Sequence, residues 1–225
     1  PLWMGEADGL WLTCERRLPG WASNHFVTTR EAADGILEQM VDHLARLVVR
    51  PTAPLSEADF ERVVSPLYDD TLRAVRDAAL HAELERRRVD ARRLLVGREL
   101  PLVYAHGDVR AKHVQVDEAG RVLGFLDFGT VVAEALPGLD VMHRIVHDRK
   151  QLEGTGDGET WRELCDPQRL RVGERRALER YARAVGLDPR LLPIVARVYP
   201  VFVGAVVERY APFGRPDGFR RTFGI

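Results

Sequence analysis

The sequence is poor in lysine, in cysteine and in long apolar runs. Of its 33 basic residues only Lys112 and Lys150 are lysines. The two cysteines, Cys14 and Cys165, are too few for the disulfide framework of a small secreted domain, so we expect a reducing, cytoplasmic location. No run approaches the ~20 apolar residues of a membrane span. The sequence therefore predicts a protein that is neither exported nor embedded in a membrane.

The charge balance excludes recognition of partners by a general electrostatic field. The 33 basic residues oppose 34 acidic ones, which gives a net charge of −1. No overall positive field exists to attract nucleic acid or an anionic membrane, so we expect neither as a partner. With 225 residues and 45% hydrophobic content, the chain predicts one large globular domain or two packed lobes.

The start of the chain predicts a β-hairpin followed by a linker. Two short apolar runs flank Asp8-Gly9, a strong turn signal. Pro19-Gly20 then marks a boundary near residue 20. Because the chain opens at Pro1 and enters a strand at once, we expect further residues upstream.

Beyond the linker the periodicity is mainly helical, with a small β insert. Thr28 and Glu31 have the spacing of a capping box, which predicts a helix over about 29–49. Ser56 and Asp59 begin a second helix by the same logic, and Pro66 is expected to kink or interrupt it. Short strands are predicted at 102–105, 114–116 and 122–126, and further helices at 139–150, 172–185 and 188–209.

Two acidic motifs bracket the last two predicted strands. The tripeptides are His106–Asp108 (His-Gly-Asp) and Asp127–Gly129 (Asp-Phe-Gly). An isolated aspartate often only caps a turn. Phosphoryl transfer, however, uses one carboxylate to orient the attacking hydroxyl and a second to hold magnesium. The ordered pair around a strand–turn–strand element therefore favours a catalytic pair.

These motifs resemble the aminoglycoside phosphotransferase and choline kinase-like family of small-molecule kinases, whose fold is related to that of protein kinases. Residues 137–141 are similar to a further aspartate motif of that family, and residues 15–20 to its hinge between lobes. The resemblance implies an α+β fold. Residues 21–225 would form a mostly helical C-terminal lobe with a small β insert, and residues 1–20 the last hairpin of an otherwise absent nucleotide-binding lobe.

The resemblance also implies roles for individual residues. Asp108 would be the catalytic base, or would orient the acceptor hydroxyl, and Asp127 would be the principal magnesium ligand. His106 and Asp140 would support the catalytic loop. The main chain at the hinge, which comprises Cys14, Glu15 and Arg16, would contact the adenine of the nucleotide.

The function that follows from the resemblance is transfer of a phosphoryl group. ATP or GTP would donate the γ-phosphoryl group, Mg²⁺ would neutralise the phosphates, and a hydroxyl of a small molecule would accept. The identity of the acceptor and the oligomeric state stay open. Asp148, Glu153 and Glu208 are candidates to meet a cationic acceptor, although we expect each to be a solvated surface charge.

The chain departs from the family at two points. His113 stands where the family has an asparagine that binds the second magnesium, and imidazole suits that hard ion poorly. Four roles for His113 stay open: a metal ligand, a group that orients Asp108, a cationic phosphate contact, or a purely structural residue. Arg110 and Lys112 in the same loop can pair with phosphate. Kinases of this kind bind the nucleotide phosphates with a lysine that precedes the catalytic loop. No lysine precedes Lys112 in this sequence. We therefore expect the lobe that covers the nucleotide to be missing from it, either because that lobe lies upstream or because it has been lost.

Two other functions compete with this interpretation. A metal-dependent hydrolase is suggested by the histidines and aspartates, among them His143 and His147, but the sequence has no His-Glu-x-x-His motif and either histidine fits an ordinary surface position. The second is a non-catalytic kinase-like binding module, which His113 and the missing lobe both favour.

Overall fold

The computed structural model describes residues 3–8, 10–14 and 17–207 as a mixed α+β protein dominated by helices. The strands are β1 (Trp3–Ala7), β2 (Leu10–Cys14), β3 (Trp21–Ala22), β4 (Val48–Pro54), β5 (Glu99–Ala105), β6 (Val114–Val116), β7 (Val122–Phe125) and β8 (Val132–Ala135). The helices are α1 (Arg30–Leu44), α2 (Glu57–Val63), α3 (Ser65–Ala74), α4 (Ala78–Leu95), α5 (Leu139–Glu153), α6 (Asp157–Leu164), α7 (Val172–Val185), α8 (Leu192–Ala196) and α9 (Tyr199–Phe202).

The predicted N-terminal hairpin is present. Strands β1 and β2 pair antiparallel, with Trp3 opposite Cys14 and Ala7 opposite Leu10. Asp8 in the connection has a φ of 52°, the left-handed conformation that a tight turn requires. Of the three predicted hinge residues, the backbone of Cys14 ends β2, whereas Glu15 and Arg16 lie outside the described residues.

The strands form three small antiparallel sheets. Besides the hairpin, one sheet has the order β3-β6-β7 and another the order β4-β5-β8. The strands predicted at 102–105, 114–116 and 122–126 are present as β5, β6 and β7, but they belong to two sheets, because β5 pairs with β4 and β8 while β6 and β7 pair with β3. Strands β4 and β8 were not predicted, since their pairing depends on a partner far away in the sequence.

Several helix boundaries differ from the prediction for local reasons. The N-cap of α1 is Thr29, whose hydroxyl accepts a hydrogen bond from the Ala32 amide, and not Thr28. The helix ends at Leu44 because the β-branched Val48 and Val49 continue as a strand. The expected helix at 188–209 is broken into a 3₁₀ turn, α8, α9 and a π turn. Prolines in the first turns of α8 and α9 account for the breaks.

Helix α5 is the centre of the helical region. Ten of its fifteen residues are buried, including charged ones, and it contacts α1, α6, α7, α8 and α9. Its N-terminus lies behind the loop that follows β5, so the two elements together position the candidate site. Within the described residues no single helix is long and apolar enough to cross a membrane, and one bent pair, Pro189–Ala196 with Tyr199–Val206, reaches the required length and composition only jointly.

Candidate active site

The candidate catalytic loop, residues 106–113, begins where the buried strand β5 ends at Ala105. Gly107 in this loop has a φ of +88°, and a Cβ at this position would lie 2.1 Å from the carbonyl oxygen of Thr130. The Thr130 hydroxyl donates a hydrogen bond of 3.1 Å to the carbonyl oxygen of His106. Only glycine fits this conformation and this close approach. The His-Gly-Asp motif is thereby packed against the turn that follows Asp127.

Asp140, in the first turn of α5, holds the backbone of the loop. Its two carboxylate oxygens accept hydrogen bonds from the amides of His106 at 2.7 Å and Gly107 at 2.9 Å. Burial raises the pKa of Asp140, and these two amides oppose that rise by stabilising the ionised form. Asp140 thus fixes the position of the loop backbone through these two hydrogen bonds.

His106 joins the loop to the strand that precedes Asp127. Its Nε2 lies 2.8 Å from the carbonyl oxygen of Leu126, and its Nδ1 lies 3.3 Å from the amide nitrogen of Asp108. A carbonyl accepts and an amide donates, so these partners assign the proton to Nε2 and the lone pair to Nδ1. The ring also packs on Phe128, with centroids 4.6 Å apart. His106 therefore links its own motif to the Asp-Phe-Gly motif, through the backbone of the adjacent Leu126 and through the ring of Phe128.

Asp108 is nearly buried, and both of its carboxylate oxygens have partners. Oδ1 lies 3.1 Å from Nε2 of His143, and Oδ2 pairs closely with the guanidinium of Arg110. Burial on its own raises the pKa of Asp108, but the hydrogen bonds from His143 and Arg110 and the charge of Arg110 outweigh it and hold the pKa well below its usual range. Asp108 is therefore ionised and suited to accept a hydrogen bond from a hydroxyl.

His113 lies between the two acidic motifs. Its Nδ1 is 2.7 Å from the carbonyl oxygen of Asp108, and its Nε2 is 3.3 Å from Oδ2 of Asp127. Burial lowers the pKa of His113, which favours the neutral ring. The neutral ring donates Nδ1–H to the carbonyl, so the Nε2 lone pair faces the Asp127 carboxylate. Two acceptors that face one another in this way fit a cation between them.

Asp127 presents its carboxylate to solvent. Its side chain is 64% exposed, and its φ of 64° is the left-handed conformation. A carboxylate oxygen suits Mg²⁺ well, whereas the imidazole of His113 suits manganese better than magnesium. Within residues 3–8, 10–14 and 17–207 no group of three or more His, Cys, Asp or Glu side chains could hold a metal ion. An ion held by this pair would take its remaining ligands from nucleotide phosphates and water.

The structure corrects the interpretation of His143 as a surface residue. His143 is 3% exposed and contacts Asp108. The available signal was its spacing of three residues from Asp140, because positions i and i+3 share one face of a helix. His147, one turn further along α5, is half-buried and packs edge-on against the His143 ring.

The other charged candidates lie in different settings. Lys112 is exposed. The expectation of a solvated charge is wrong for Asp148, which is buried and accepts a 2.6 Å hydrogen bond from Nε of Arg144. Glu153 forms ion pairs with Arg30 and Arg171. Glu208 lies outside the described residues.

Solved structures of small-molecule kinases resemble this chain. An aminoglycoside phosphotransferase from Streptomyces rimosus in complex with ADP and streptomycin is 17% identical, with a TM-score of 0.44 over 83% of this chain and 68% of that one. A glucosamine kinase in complex with glucosamine, ADP and inorganic phosphate is 20% identical, with a TM-score of 0.45 over 87% of this chain and 57% of that one. The chain spans 49% to 68% of the length of such structures.

Comparison by sequence gives the family directly. A search of the curated proteins returned no match. The sequence model of the phosphotransferase enzyme family matches residues 6–143, which include β2, the candidate catalytic loop, Asp127 and Asp140. This match covers more than half of the 225 residues. The chain therefore belongs to the phosphotransferase enzyme family, as its motifs predict.

Proposed function

We propose that this protein transfers the γ-phosphoryl group of ATP or GTP to a hydroxyl of a small molecule. The observation that carries the proposal is the position of His113, which contacts the backbone of Asp108 through Nδ1 and the carboxylate of Asp127 through Nε2. His113 thereby links two acids that are nineteen positions apart in the sequence. Phosphoryl transfer requires such a pair, one for the hydroxyl and one for the metal.

Asp108 orients the acceptor hydroxyl and accepts its proton. The hydroxyl oxygen forms a bond to the γ-phosphorus while the bond from that phosphorus to the β–γ bridging oxygen breaks, and ADP or GDP leaves. Positioning and charge neutralisation supply most of the rate in reactions of this kind. The Arg110 guanidinium, which pairs with Asp108 Oδ2, has to share that oxygen with the hydroxyl.

Asp127 and His113 are the residues that would hold the metal. A bound Mg²⁺ neutralises the phosphate charge as it develops. Asp127 supplies an exposed oxygen ligand and His113 a nitrogen ligand, so the site should accept manganese at least as well as magnesium. Acceptance of manganese would distinguish this metal site from one built from oxygen ligands alone.

The division of the chain follows from the same proposal. Residues 1–20 would be the end of the nucleotide-binding lobe, with the hinge at Cys14, Glu15 and Arg16 against the adenine. Residues 21–225 would be the helical lobe that carries the catalytic loop and binds the acceptor. We expect the protein to act in the cytoplasm, on a small molecule and without a nucleic-acid partner.

The test is a search for divalent-dependent transfer by the full-length protein as its source produces it. ATP or GTP labelled in the γ-phosphate is mixed with Mg²⁺ or Mn²⁺ and a panel of hydroxyl compounds that includes streptomycin and glucosamine. We expect label in one acceptor, loss of transfer with a chelator, and loss with Asp127→Asn. Asp117→Asn is the matched control, because Asp117 pairs with Arg121 in the turn between β6 and β7.

A different result would favour the non-catalytic binding module. Saturable binding of nucleotide or of a panel compound, with no label transferred under either ion, would overturn the proposed function. Equal transfer by wild type and Asp127→Asn would overturn the assigned metal site.

A further inference from the structure

A line of three buried side chains leads away from the candidate base into the core. Nε2 of His143 lies 3.1 Å from Oδ1 of Asp108, and Nδ1 of the same ring lies 3.0 Å from the hydroxyl oxygen of Tyr199. Asp108, His143 and Tyr199 are 6%, 3% and 1% exposed. The catalytic loop, α5 and α9 each contribute one member of this line.

The chemistry of the partners sets the direction of both hydrogen bonds. The ionised Asp108 only accepts, so Nε2 of His143 carries the proton that it donates to Oδ1. Burial raises the pKa of Tyr199 well above its ordinary value, so the phenol keeps its proton and can donate it to Nδ1. A hydrogen bond to one ring nitrogen fixes which tautomer the other presents. Tyr199 thus selects the tautomer that Asp108 needs.

The position of His143 on α5 complements that of Asp140. The two residues are three positions apart and therefore lie on the same face of the helix. Asp140 holds the loop backbone through the amides of His106 and Gly107. His143 holds the side chain of Asp108. One helical turn thus fixes both the main chain and the carboxylate of the candidate base.

The two oxygens of Asp108 consequently have different surroundings. Oδ1 is held from the core by His143, whereas Oδ2 faces Arg110, whose side chain is 29% exposed, and Nδ1 of His113 at 3.6 Å. Rotation of the carboxylate would exchange the oxygens and break the bond to His143. The structure therefore distinguishes an oxygen held from the core from one that pairs with a partly exposed arginine.

We propose that His143 is a positioning residue of the phosphoryl transfer, which donates Nε2–H to Oδ1 of Asp108 so that Oδ2 faces the acceptor hydroxyl, and that Tyr199 holds its imidazole in the required tautomer. This inference rests on the proposed function. In this proposal His143 and Tyr199 orient the base. Residues that only fill the core would not have this role.

The first test compares two substitutions of His143 in the full-length protein. His143→Gln keeps an N–H donor near the position of Nε2, whereas His143→Leu fills similar space without one. We expect kcat to fall about 10- to 100-fold in His143→Leu, because misplacement of a reacting group has costs of this order. His143→Gln should recover most of that loss. The KM for nucleotide should stay unchanged in both, since neither change touches a group assigned to the nucleotide.

The second test uses Tyr199→Phe, which removes a single oxygen and keeps the ring. On its own we expect it to lower kcat about fivefold, the effect of losing one hydrogen bond. In the His143→Leu background it should have no further effect, because the imidazole through which it acts is gone. This variant also tests the proposal if His143→Leu does not fold.

The control is His147→Leu, which removes an imidazole from the same helix without breaking either hydrogen bond of the line. We expect wild-type kcat from it. Equal kcat in His143→Gln and His143→Leu, or the same factor for Tyr199→Phe in both backgrounds, would overturn the role of His143. A wild type that transfers no phosphoryl group to any acceptor would instead overturn the proposed function, so the two failures are distinguishable.

Discussion

At the scale of single residues, the site depends on positions that the motifs mark and on one that they do not. Asp108 and Asp127 are recognisable because short motifs with defined spacing carry them. His143 is not, because its contact with Asp108 arises only when α5 packs behind the loop. The motif likewise marks Gly107 without giving the reason for it, which is the approach of Thr130.

Gly107→Ala should impair the site more than its backbone conformation alone explains. A Cβ at residue 107 would lie 2.1 Å from the Thr130 carbonyl oxygen, so the loop has to move and carry Asp108 with it. We expect phosphoryl transfer to fall more than about tenfold, since small displacements of reacting groups have large effects on rate. The measurement is kcat of the full-length protein.

Gly120→Ala is the matched control for this prediction. Gly120 also has a positive φ, of +75°, but no atom lies within 4 Å of its added Cβ. It should lose about 1 kcal/mol of stability from backbone strain and keep its activity. Equal loss of kcat in both variants would contradict the role of the Thr130 contact.

At the scale of elements, local signals located the starts of α1 and α2 to within one residue. The capping box of Ser56 and Asp59 starts α2 as predicted, with both reciprocal hydrogen bonds formed. Sequence signals failed where pairing with a distant strand determines the structure, as in β4, whose residues pair with β5 about fifty positions away. Pro66, in contrast, interrupts the helix as expected, because α2 ends at Val63 and Pro66 lies in the first turn of a separate helix, α3.

Asp59→Asn should destabilise the protein in a pH-dependent way. Hydrogen bonds from Arg50 of β4, and then from Ser56, hold the pKa of Asp59 far below its ordinary value. We expect the free energy of unfolding at pH 7 to fall by about 1–3 kcal/mol. Because the folded pKa is depressed, this contribution is present above the unfolded pKa of about 3.9 and is lost as the pH falls below it.

Urea denaturation at pH 7, 5 and 3 measures this contribution. The difference between wild type and Asp59→Asn should persist at pH 5 and shrink at pH 3. Asp70→Asn, which removes an exposed pair with Arg73 on α3, should show almost no difference at any of the three. A gap between wild type and Asp59→Asn that does not change with pH would count against the account.

At the scale of the whole molecule, α5 joins the helices through buried ions as well as apolar packing. Arg144 is fully buried and lies 2.6 Å from Asp148 and 3.4 Å from the hydroxyl of Ser23, which donates to the carbonyl of Ala111 in the catalytic loop. The sequence predicts a helix here but not its central position. Asp148 neutralises Arg144 from the next turn of the same helix, whereas the partners of Arg149 come from α6 and α7, which periodicity cannot bring together.

Arg149→Met should destabilise the whole helical region. Arg149 forms ion pairs with Glu163 of α6 and the buried Glu174 of α7, and removing it leaves the Glu174 carboxylate buried without this partner. We expect the free energy of unfolding to fall by about 3–5 kcal/mol. The exposed pair of Arg180 with Asp42 supplies the control, since Arg180→Met should lose less than about 1 kcal/mol. Similar losses for both variants in urea denaturation would contradict this assignment.

The measurement that tests the central claim most directly is the rate of phosphoryl transfer by full-length Asp108→Asn. The substitution keeps the size of the side chain and removes the charge that accepts the hydroxyl proton. With nucleotide and divalent ion saturating, we predict a fall in kcat of at least about 100-fold while nucleotide binding is retained. A variant that transfers the phosphoryl group as fast as wild type would contradict the account.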